Sequence, residues 1–306
     1  MTVIETGKRF LAILGHINID FVMNVSSIPS SGSAPVASIR EVYGGTAGNF
    51  AMVSSSLRID FDLYSAVSRK THQKYLDFLS GKGVDISNIL IDEMDSGPIC
   101  YAASTGKDQV YFVYQGPMSK PFLNKILKVD RHYMYLHLGT GDPVDLKYAL
   151  SNISHEHSVF DPGQELNYRY SSEQISFFLE KCDLSIFNDS EADFARSMVH
   201  EFKMGKPGAS MIITHGSRGC TLLRNGTATE IRARVVERVF DTVGAGDAFR
   251  SGLYLGLSRR MTLEDSAILG SIVSSIAIQR PISEFNTSFS EVLKIYEEEK
   301  HLMRGI

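Results

Sequence analysis

A stretch of nine residues in the last quarter of the chain combines the groups needed to bind an anion and to move a proton. It reads Asp241-Thr-Val-Gly-Ala-Gly-Asp-Ala-Phe249, and apolar residues continue at helical spacing at Leu253 and Leu257. The first turn of a helix has unpaired N–H groups and a partial positive charge, which attract phosphate. Glycines at 244 and 246 would let a phosphoryl group approach the backbone closely. The pattern predicts an anion site at the start of a helix.

Asp247 would lie beside that anion, where its carboxylate could take the proton of an attacking hydroxyl. The alternative is that Asp247 is a helix N-cap, a position where Asp is common. Other phosphate-binding loops do not fit. The dinucleotide fingerprint requires glycine where Phe249 stands, and no GxxxxGKS/T loop occurs in the chain.

The elements that would position this stretch can be predicted from hydrophobic patterning. Short continuous apolar runs are typical of strands buried on both faces of a parallel sheet. They occur at residues 9–15, 133–138, 158–160, 184–187 and 211–214. Segments with helical spacing lie between them, for example at residues 72–79, 173–179 and 263–278. This alternation predicts βαβ units and a mostly parallel sheet.

Two stretches, residues 17–25 and 100–114, instead alternate apolar and polar residues, and the second contains a turn at 105–108. Together with residues 34–43 they predict a small antiparallel sheet that forms a lid over one edge of the core. The predicted core comprises residues 1–16, 44–98 and 118–306. The predicted lid comprises residues 17–43 and 99–117.

Composition excludes several classes of protein. The 306 residues are 43% hydrophobic, with 31 Lys+Arg against 35 Asp+Glu and a formal charge of −4. Such a chain can form a large core, and it lacks the basic excess of a nucleic-acid binder. Its three cysteines include no CxxC pair, which argues against a disulfide framework or a zinc knuckle. Without a leader pattern or an apolar run of ~20 residues, we expect a cytoplasmic protein with no membrane or nucleic-acid partner.

Four further motifs precede the glycine-rich stretch, and their order carries a resemblance. They are Gly15-His-Ile-Asn-Ile-Asp20, Gly44-Gly-Thr-Ala-Gly-Asn49, Asn188-Asp-Ser-Glu191 and Thr214-His-Gly-Ser-Arg-Gly219. The five motifs together resemble the ribokinase-like, or PfkB, family of sugar and nucleoside kinases. The resemblance implies a ribokinase-like three-layer α/β/α core with a mostly parallel central sheet and a small β-sheet lid.

The resemblance also implies a role for each matching residue on the acceptor side. Asp247 would be the general base, and the backbone of Gly244, Ala245 and Gly246 would form the anion hole. Substrate hydroxyls would be held by a polar set of residues, namely Asn18, Asp20, Gly44, Gly45 and Asn49. From their spacing alone, Asn18 and Asp20 could equally be turn residues that follow a strand.

On the nucleotide side, the resemblance implies that Asn188 and Glu191 organise hydrated Mg²⁺ and the phosphates, with Glu191 acting through water. Nucleotide contacts would come from Thr214, Gly216, Gly219, Asp241 and Thr242. The residues themselves leave other interpretations open, because Asn followed three positions later by Glu also suits a helix cap. Thr214 to Gly219 could form an ordinary strand-turn-strand. The residues at 279–283 depart from the family pattern, which leaves a requirement for a monovalent cation open.

We therefore expect a Mg²⁺- and ATP-dependent kinase that phosphorylates an alcohol of a small sugar-containing molecule. The segment Phe160-Asp-Pro-Gly-Gln164 resembles the nucleoside branch of the family and places Asp161 and Gln164 near substrate or phosphate. A nucleoside is thus the favoured substrate. The alternatives are a free sugar of the ribose, fructose or keto-deoxy sugar acid type, or a sensor that binds such a molecule without phosphorylating it. Exposed lid edges favour a homodimer formed through the lid.

Overall fold

The structure is a computed structural model that describes residues 8–106, 109–127 and 131–304. Thirteen strands form two sheets in this part of the chain. The strands are β1 Lys8–Leu14, β2 Asn18–Val25, β3 Val36–Gly44, β4 Phe61–Ser68, β5 Ile89–Asp92, β6 Ile99–Ser104, β7 Gln109–Tyr114, β8 His132–Leu138, β9 Ser154–Phe160, β10 Leu184–Asn188, β11 Ser210–Thr214, β12 Cys220–Arg224 and β13 Thr227–Ile231. The helices are α1 Thr46–Ser56, α2 Arg69–Gly81, α3 Leu123–Ile126, α4 Pro143–Asn152, α5 Leu166–Arg169, α6 Ser172–Lys181, α7 Asp189–Met198, α8 Ala245–Ser258, α9 Leu263–Ala277 and α10 Phe289–Met303.

The large sheet has nine strands in the order β13-β12-β11-β10-β9-β8-β1-β4-β5. Seven of them, from β11 to β5, run parallel, and the β12–β13 hairpin adds two antiparallel strands at one edge. All five apolar runs predicted as buried strands lie in this parallel part. In a parallel sheet the carboxyl ends of the strands share one edge, where loops and helix starts gather to form sites.

Helices cover both faces of the sheet, which confirms the three-layer α/β/α prediction. On β1, Leu11 and Ile13 pack on the side of α1, α2, α8, α9 and α10. Their neighbours Ala12 and Leu14 point to the opposite layer, which contains α3 to α7. The alternation follows from the two-residue period of a strand. None of the helices in the described ranges is long and apolar enough to cross a membrane.

The position of α8 depends on close packing against α9. A side chain at Gly252 would lie 2.4–2.8 Å from backbone atoms of α9, and one at Gly256 would lie 2.6–2.8 Å from Ser266. These small residues let the two helices approach more closely than larger side chains would allow. The N-terminus of α8 is thereby fixed at the edge of the sheet.

The smaller sheet has four strands in the order β3-β2-β6-β7. The prediction of a purely antiparallel sheet is wrong, because β2 and β6 pair in parallel. Both strands leave the core next to each other and run outward in the same direction, since the amide of Ile19 bonds to the carbonyl of Pro98 at their common start. The β6–β7 hairpin is as predicted, with Lys107 and Asp108 of its turn outside the described residues.

Candidate active site

The first turn of α8 is open toward two cavities. Its N-cap is Gly244, whose left-handed φ of 77° favours glycine and whose missing side chain leaves room for Ile282. Among the residues that the structure describes, no side chain caps this helix. Of the three predicted anion-hole amides, that of Ala245 bonds to the carbonyl of Thr242 at 3.1 Å, and those of Gly244 and Gly246 have no such bond within the described residues. The amide of Asp247 in the first turn of α8 is open as well. The alternative interpretation of Asp247 as the N-cap is wrong.

A polar cavity of about 190 Å³ lies on one side of this turn, between the core and the small sheet. It is lined by the side chain of Asp247, by residues of the small sheet and by loops at the sheet edge. The lining residues are His16, Asn18, Asp20, Gly45, Thr46, Asn49, Cys100, Tyr111, Val113, Thr140, Gln164, Glu165, Tyr168, Val243, Gly244 and Asp247.

A larger cavity of about 360 Å³ lies on the other side of the turn and is more apolar. Predicted nucleotide residues contribute to it at Thr214, Gly216, Gly219 and Thr242. Ala245 and Gly246 belong to its wall as well, whereas Gly244 and Asp247 belong to the polar cavity. The glycine-rich turn therefore separates the two cavities and borders both.

Asp247 is buried, and its two carboxylate oxygens have different partners. Asn49 donates from Nδ2 to Oδ2 at 2.9 Å, and Arg250 lies with Nη1 3.3 Å from Oδ1. Burial raises the pKa of Asp247 to about 7, although the Arg250 charge and the Asn49 hydrogen bond act in the opposite direction. A carboxyl that titrates near neutral pH suits a general base.

Three buried oxygen atoms of the predicted substrate residues have no hydrogen-bond partner among the described residues. They are the Oδ1 atoms of Asn18, Asp20 and Asn49, and all three residues line the polar cavity. Burial, followed by the charge of Asp247, raises the pKa of Asp20 to about 7. Because a buried unpaired acceptor is costly, these atoms indicate that the cavity receives hydrogen-bond donors.

Of the two adjacent glycines predicted to bind substrate, only Gly45 lines the cavity. Gly44 ends β3 directly beneath the carboxylate of Asp20, and any side chain at position 44 would collide with that carboxylate. Gly44 thus contributes indirectly, because its lack of a side chain leaves room for the Asp20 carboxylate. Gly45 has a φ of 82° and is the N-cap of α1. Asn49, in the first turn of this helix, bonds to Asp247.

Asn188 and Glu191 form a complete capping box at the start of α7. Asn188 Oδ1 accepts from the Glu191 amide, and Glu191 Oε2 accepts from the Asn188 amide, both at 2.9 Å. The capping interpretation is thus confirmed, and neither residue lines the two cavities. Glu191 is nevertheless buried near Arg250, Asp161 and Asp247, and burial raises its pKa to about 7.

Three other predicted residues occupy distinct positions. Gln164 lines the polar cavity, as expected for a substrate contact. Asp161 does not line it, and both of its oxygens are paired with the Arg250 guanidinium. Asp241 uses its carboxylate to accept from the Val243 amide at 2.9 Å, and it borders neither cavity.

A hydrogen-bond network in and behind the wall of the polar cavity was not predicted from the sequence. His16 bonds to Thr140 through Nδ1 at 2.9 Å and to Gln115 through Nε2. Gln115 in turn donates to Glu165 Oε1 at 2.6 Å and to the Tyr168 hydroxyl at 3.1 Å. Gln115 lies in the segment after the hairpin and Glu165 directly follows Gln164, but nothing in the sequence pairs them.

An uncapped helix start between an apolar cavity and a polar cavity with a buried carboxylate is suited to phosphoryl transfer onto an alcohol. A family model described as "pfkB family carbohydrate kinase" matches residues 8–287. A nucleoside kinase of Thermoplasma acidophilum is 41% identical over 93% of this chain and 94% of its own length. A nucleoside kinase of Methanocaldococcus jannaschii is 26% identical over 88% and 90%.

A crystal structure from Thermoplasma acidophilum, described as a ribokinase, superposes with a TM-score of 0.83. It is 40% identical to this chain and covers 97% of it and 100% of the other. The chain belongs to the PfkB family of carbohydrate kinases. It is a phosphotransferase with an alcohol as acceptor and ATP as co-substrate.

Proposed function

We propose that this protein is a Mg²⁺-dependent nucleoside kinase that transfers the γ-phosphoryl group of ATP to a hydroxyl of the sugar. The observation that carries this proposal is the position of the glycine-rich turn between the polar and the apolar cavity. ATP in the apolar cavity would place its terminal phosphates at the open amides of α8, with the acceptor on the other side. Both relatives compared above are named nucleoside kinases.

The reaction follows from this arrangement. The substrate hydroxyl oxygen attacks the γ-phosphorus in line, its proton passes to the Asp247 carboxylate, and the bond between the γ-phosphorus and the bridging oxygen breaks to release ADP. The amides of Gly246 and Asp247 would stabilise the charge on the phosphoryl oxygens. Because the chemistry is mostly positioning and electrostatics, fixed donors at this point are effective.

The sugar would be recognised by the unpaired acceptors. Asp20 and the Asn18 and Asn49 side chains line the same cavity as Asp247. Neighbouring hydroxyl groups of a ribose ring provide donors for such oxygens, and binding would remove the cost of leaving them unpaired. This accounts for a cavity wall that is polar close to the base Asp247.

Two aromatic side chains in the wall of the polar cavity support a nucleoside rather than a free sugar as the substrate. Tyr111 from β7 and Tyr168 from α5 both line this cavity, and both side chains are about half exposed. Aromatic rings in this position can stack on a nucleobase. Gln164 and Glu165 add polar groups able to bond to the edge of a base. A free pentose has no base for these groups to contact.

The residues present fit a magnesium ion held mainly by water and phosphate. The described residues contain no cluster of three or more acidic, His or Cys side chains able to bind a metal alone. Glu191 provides a buried carboxylate of which the capping box uses only Oε2. Mg²⁺ commonly retains several waters and takes one or two carboxylates beside the nucleotide phosphates. When bound, the ion would neutralise phosphate charge.

A coupled assay of ADP formation tests the proposal, with MgATP against a panel of nucleosides, ribose, fructose and a keto-deoxy sugar acid. We expect turnover with at least one nucleoside at a kcat/KM at least tenfold above every free sugar. Higher kcat/KM for a free sugar would overturn the substrate assignment. Tight nucleoside binding by calorimetry without ADP formation on any acceptor would instead identify a sensor.

We also propose that two copies pair through the outer face of the small sheet. Phe21, Tyr101 and Phe112 lie side by side on this face, opposite the cavity, with Ile39 two residue pairs further along the sheet. Phe112 is 62% exposed and Ile39 is 58% exposed. An apolar face of this kind fits the same face of a second copy.

Sedimentation equilibrium tests the dimer. We expect a dimer for the wild type and a monomer for Phe112→Glu, which places a charge on the apolar face. Leu302→Glu is the matched control, because Leu302 is similarly exposed at 59% but lies on α10, away from the small sheet. A monomeric wild-type protein would rule out this assembly.

A further inference from the structure

Arg250 is a largely buried cation that lies in neither of the two large cavities. It borders a small cavity of about 10 Å³ together with Asp161 and Asp247. Its side chain is 14% exposed and lies one helical turn after Asp247 on α8. Nε and Nη2 bond to the two carboxylate oxygens of Asp161, the latter at 2.5 Å, so the pair is bidentate. Nη1 lies 3.3 Å from Asp247 Oδ1. One guanidinium thus connects a carboxylate outside the polar cavity to the proposed base inside it.

Asp161 is a rigid anchor for that guanidinium. It directly follows β9, its amide bonds to the carbonyl of Leu138 at 2.9 Å, and it is only 2% exposed. Behind it, His137 lies with Nε2 3.6 Å from Asp161 Oδ2 and bonds through Nδ1 to the Tyr254 hydroxyl. Burial lowers the pKa of His137 to about 4, so this imidazole is neutral and does not compete with Arg250.

Gly246 leaves the space that the guanidinium occupies. A Cβ atom at position 246 would lie 2.8 Å from Nη1 of Arg250. The glycine that opens the helix start to phosphate therefore also allows Arg250 to reach Asp247. Bidentate pairing fixes the plane of a guanidinium, so Nη1 is held at one position beside Asp247.

We propose that Arg250, anchored by Asp161, is a positioning residue for Asp247. It orients the carboxylate from the side opposite Asn49 and supplies the positive charge that keeps the buried base ionised. The inference rests on the proposed function, since it assigns Asp247 as the base. Each carboxylate oxygen can accept more than one hydrogen bond, so these contacts leave acceptor capacity for the substrate proton.

The electrostatic surroundings of Asp247 are consistent with this role. The charged or titratable groups near it are Asp20 from β2, Tyr75 from α2, Asp161 after β9, Glu191 from α7 and Arg250 from α8. Burial raises the pKa of Tyr75, so this phenol is neutral. The three carboxylates all disfavour a charge on Asp247, and Arg250 is the one cation among these five groups. Its removal would leave the acids mutually repulsive, and Asp247 would retain its proton at neutral pH.

Two substitutions, one that removes a positive charge near Asp247 and one that removes a negative charge, test the proposal through the pH dependence of kcat/KM. In Arg250→Met the acidic limb of the profile should move to higher pH by at least about one unit, with kcat reduced about 100-fold through misorientation. In Asp161→Asn a negative charge is lost, so the limb should move to lower pH while kcat falls less. Arg250→Lys keeps the charge but not the fork, and should retain the wild-type limb with reduced kcat.

Arg69→Met is the matched control, because Arg69 is 56% exposed and pairs with Glu93 on the surface. It should leave kcat and the profile unchanged. An unmoved limb in Arg250→Met, or shifts of the same sign in Arg250→Met and Asp161→Asn, would overturn the proposal. If Arg250→Met does not fold, a limb in Arg250→Lys displaced to higher pH would overturn it equally.

Asp247→Asn in the same series separates this inference from the proposed function. If Asp247→Asn keeps its turnover, the assignment of the base is wrong and so is the inference that depends on it. If Asp247→Asn is inactive while the limb in Arg250→Met is unmoved, only the role of Arg250 is wrong.

Discussion

Two helices begin at the same edge of the large sheet, and their first turns are built in opposite ways. At α7, the side chains of Asn188 and Glu191 satisfy each other's backbone amides in a closed capping box. At α8, the N-cap is Gly244 and no described side chain caps the turn. A helix end without partners is expected only where something else completes it. The contrast shows that α7 is capped by its own side chains, and it supports the proposal that phosphate binds at the start of α8.

Removal of the proposed base, Asp247 at the start of α8, should have the largest effect on activity. Asp247→Asn keeps the size of the side chain but cannot accept the substrate proton, so kcat should fall by ~10²–10⁴. The Kd for ATP should stay nearly unchanged, because Asp247 lines the polar cavity and not the apolar one. Steady-state turnover and calorimetric ATP binding measure the two quantities. Retention of most of the turnover would exclude Asp247 as the base.

On α7, the Glu191→Gln substitution separates the capping role of Glu191 from its proposed role in binding Mg²⁺. Glutamine at this position can still complete a capping box, so the melting temperature should not fall. The lost charge should weaken the apparent affinity for Mg²⁺ by about tenfold, measured as turnover against free Mg²⁺ at constant ATP. Unchanged Mg²⁺ dependence would limit Glu191 to its structural role.

Asp20 lines the same polar cavity as Asp247 of α8. Its carboxyl group should make the protein less stable as the pH rises. Its pKa is raised from 3.8 to about 7, so the folded state retains a proton that the unfolded state releases. The stability from this group is complete below pH 3.8 and is lost as the pH rises through about 7. Asp20→Asn should therefore melt a few degrees above wild type at pH 8, with a smaller difference at pH 5. Equal differences at both pH values would contradict the assignment.

The smallest effect is expected from loss of the α7 cap. Asn188→Ala should lower the free energy of unfolding by about 1 kcal/mol, whereas Asn188→Ser, which can still cap, should lose less. Urea unfolding of the two variants provides the measurement. Wild-type stability in Asn188→Ala would show that the box contributes little.

Short local patterns in the sequence were sufficient to predict the parallel strands of the core and the glycine-rich start of α8. The buried parallel strands follow from continuous apolar runs, since their side chains must be apolar on both faces. The open start of α8 follows from Gly244 and Gly246, whose effect is local. The prediction was wrong for the small sheet, because the direction of β2 relative to β6 depends on where both strands leave the core.

The contacts that link distant residues could not be predicted. Arg250 directly follows the glycine-rich stretch in the sequence, but its partner Asp161 is 89 positions away. His16 and Gln115 are 99 positions apart. Such pairs depend on the distance between side chains after the chain has folded, and no spacing along the sequence encodes that distance.

The alternation of side chains in the small sheet has a consequence for how the specificity of this enzyme can change. Asp20, Cys100, Tyr111 and Val113 come from three strands and face the polar cavity, whereas the α8 turn belongs to the core. Substitutions at Cys100, Tyr111 and Val113 would reshape the acceptor pocket without altering the residues that handle the phosphoryl group. The proposed assignment of this cavity to the acceptor therefore predicts that acceptor choice and phosphoryl transfer can be changed separately, and that a library restricted to these three positions could redirect the enzyme to new acceptors.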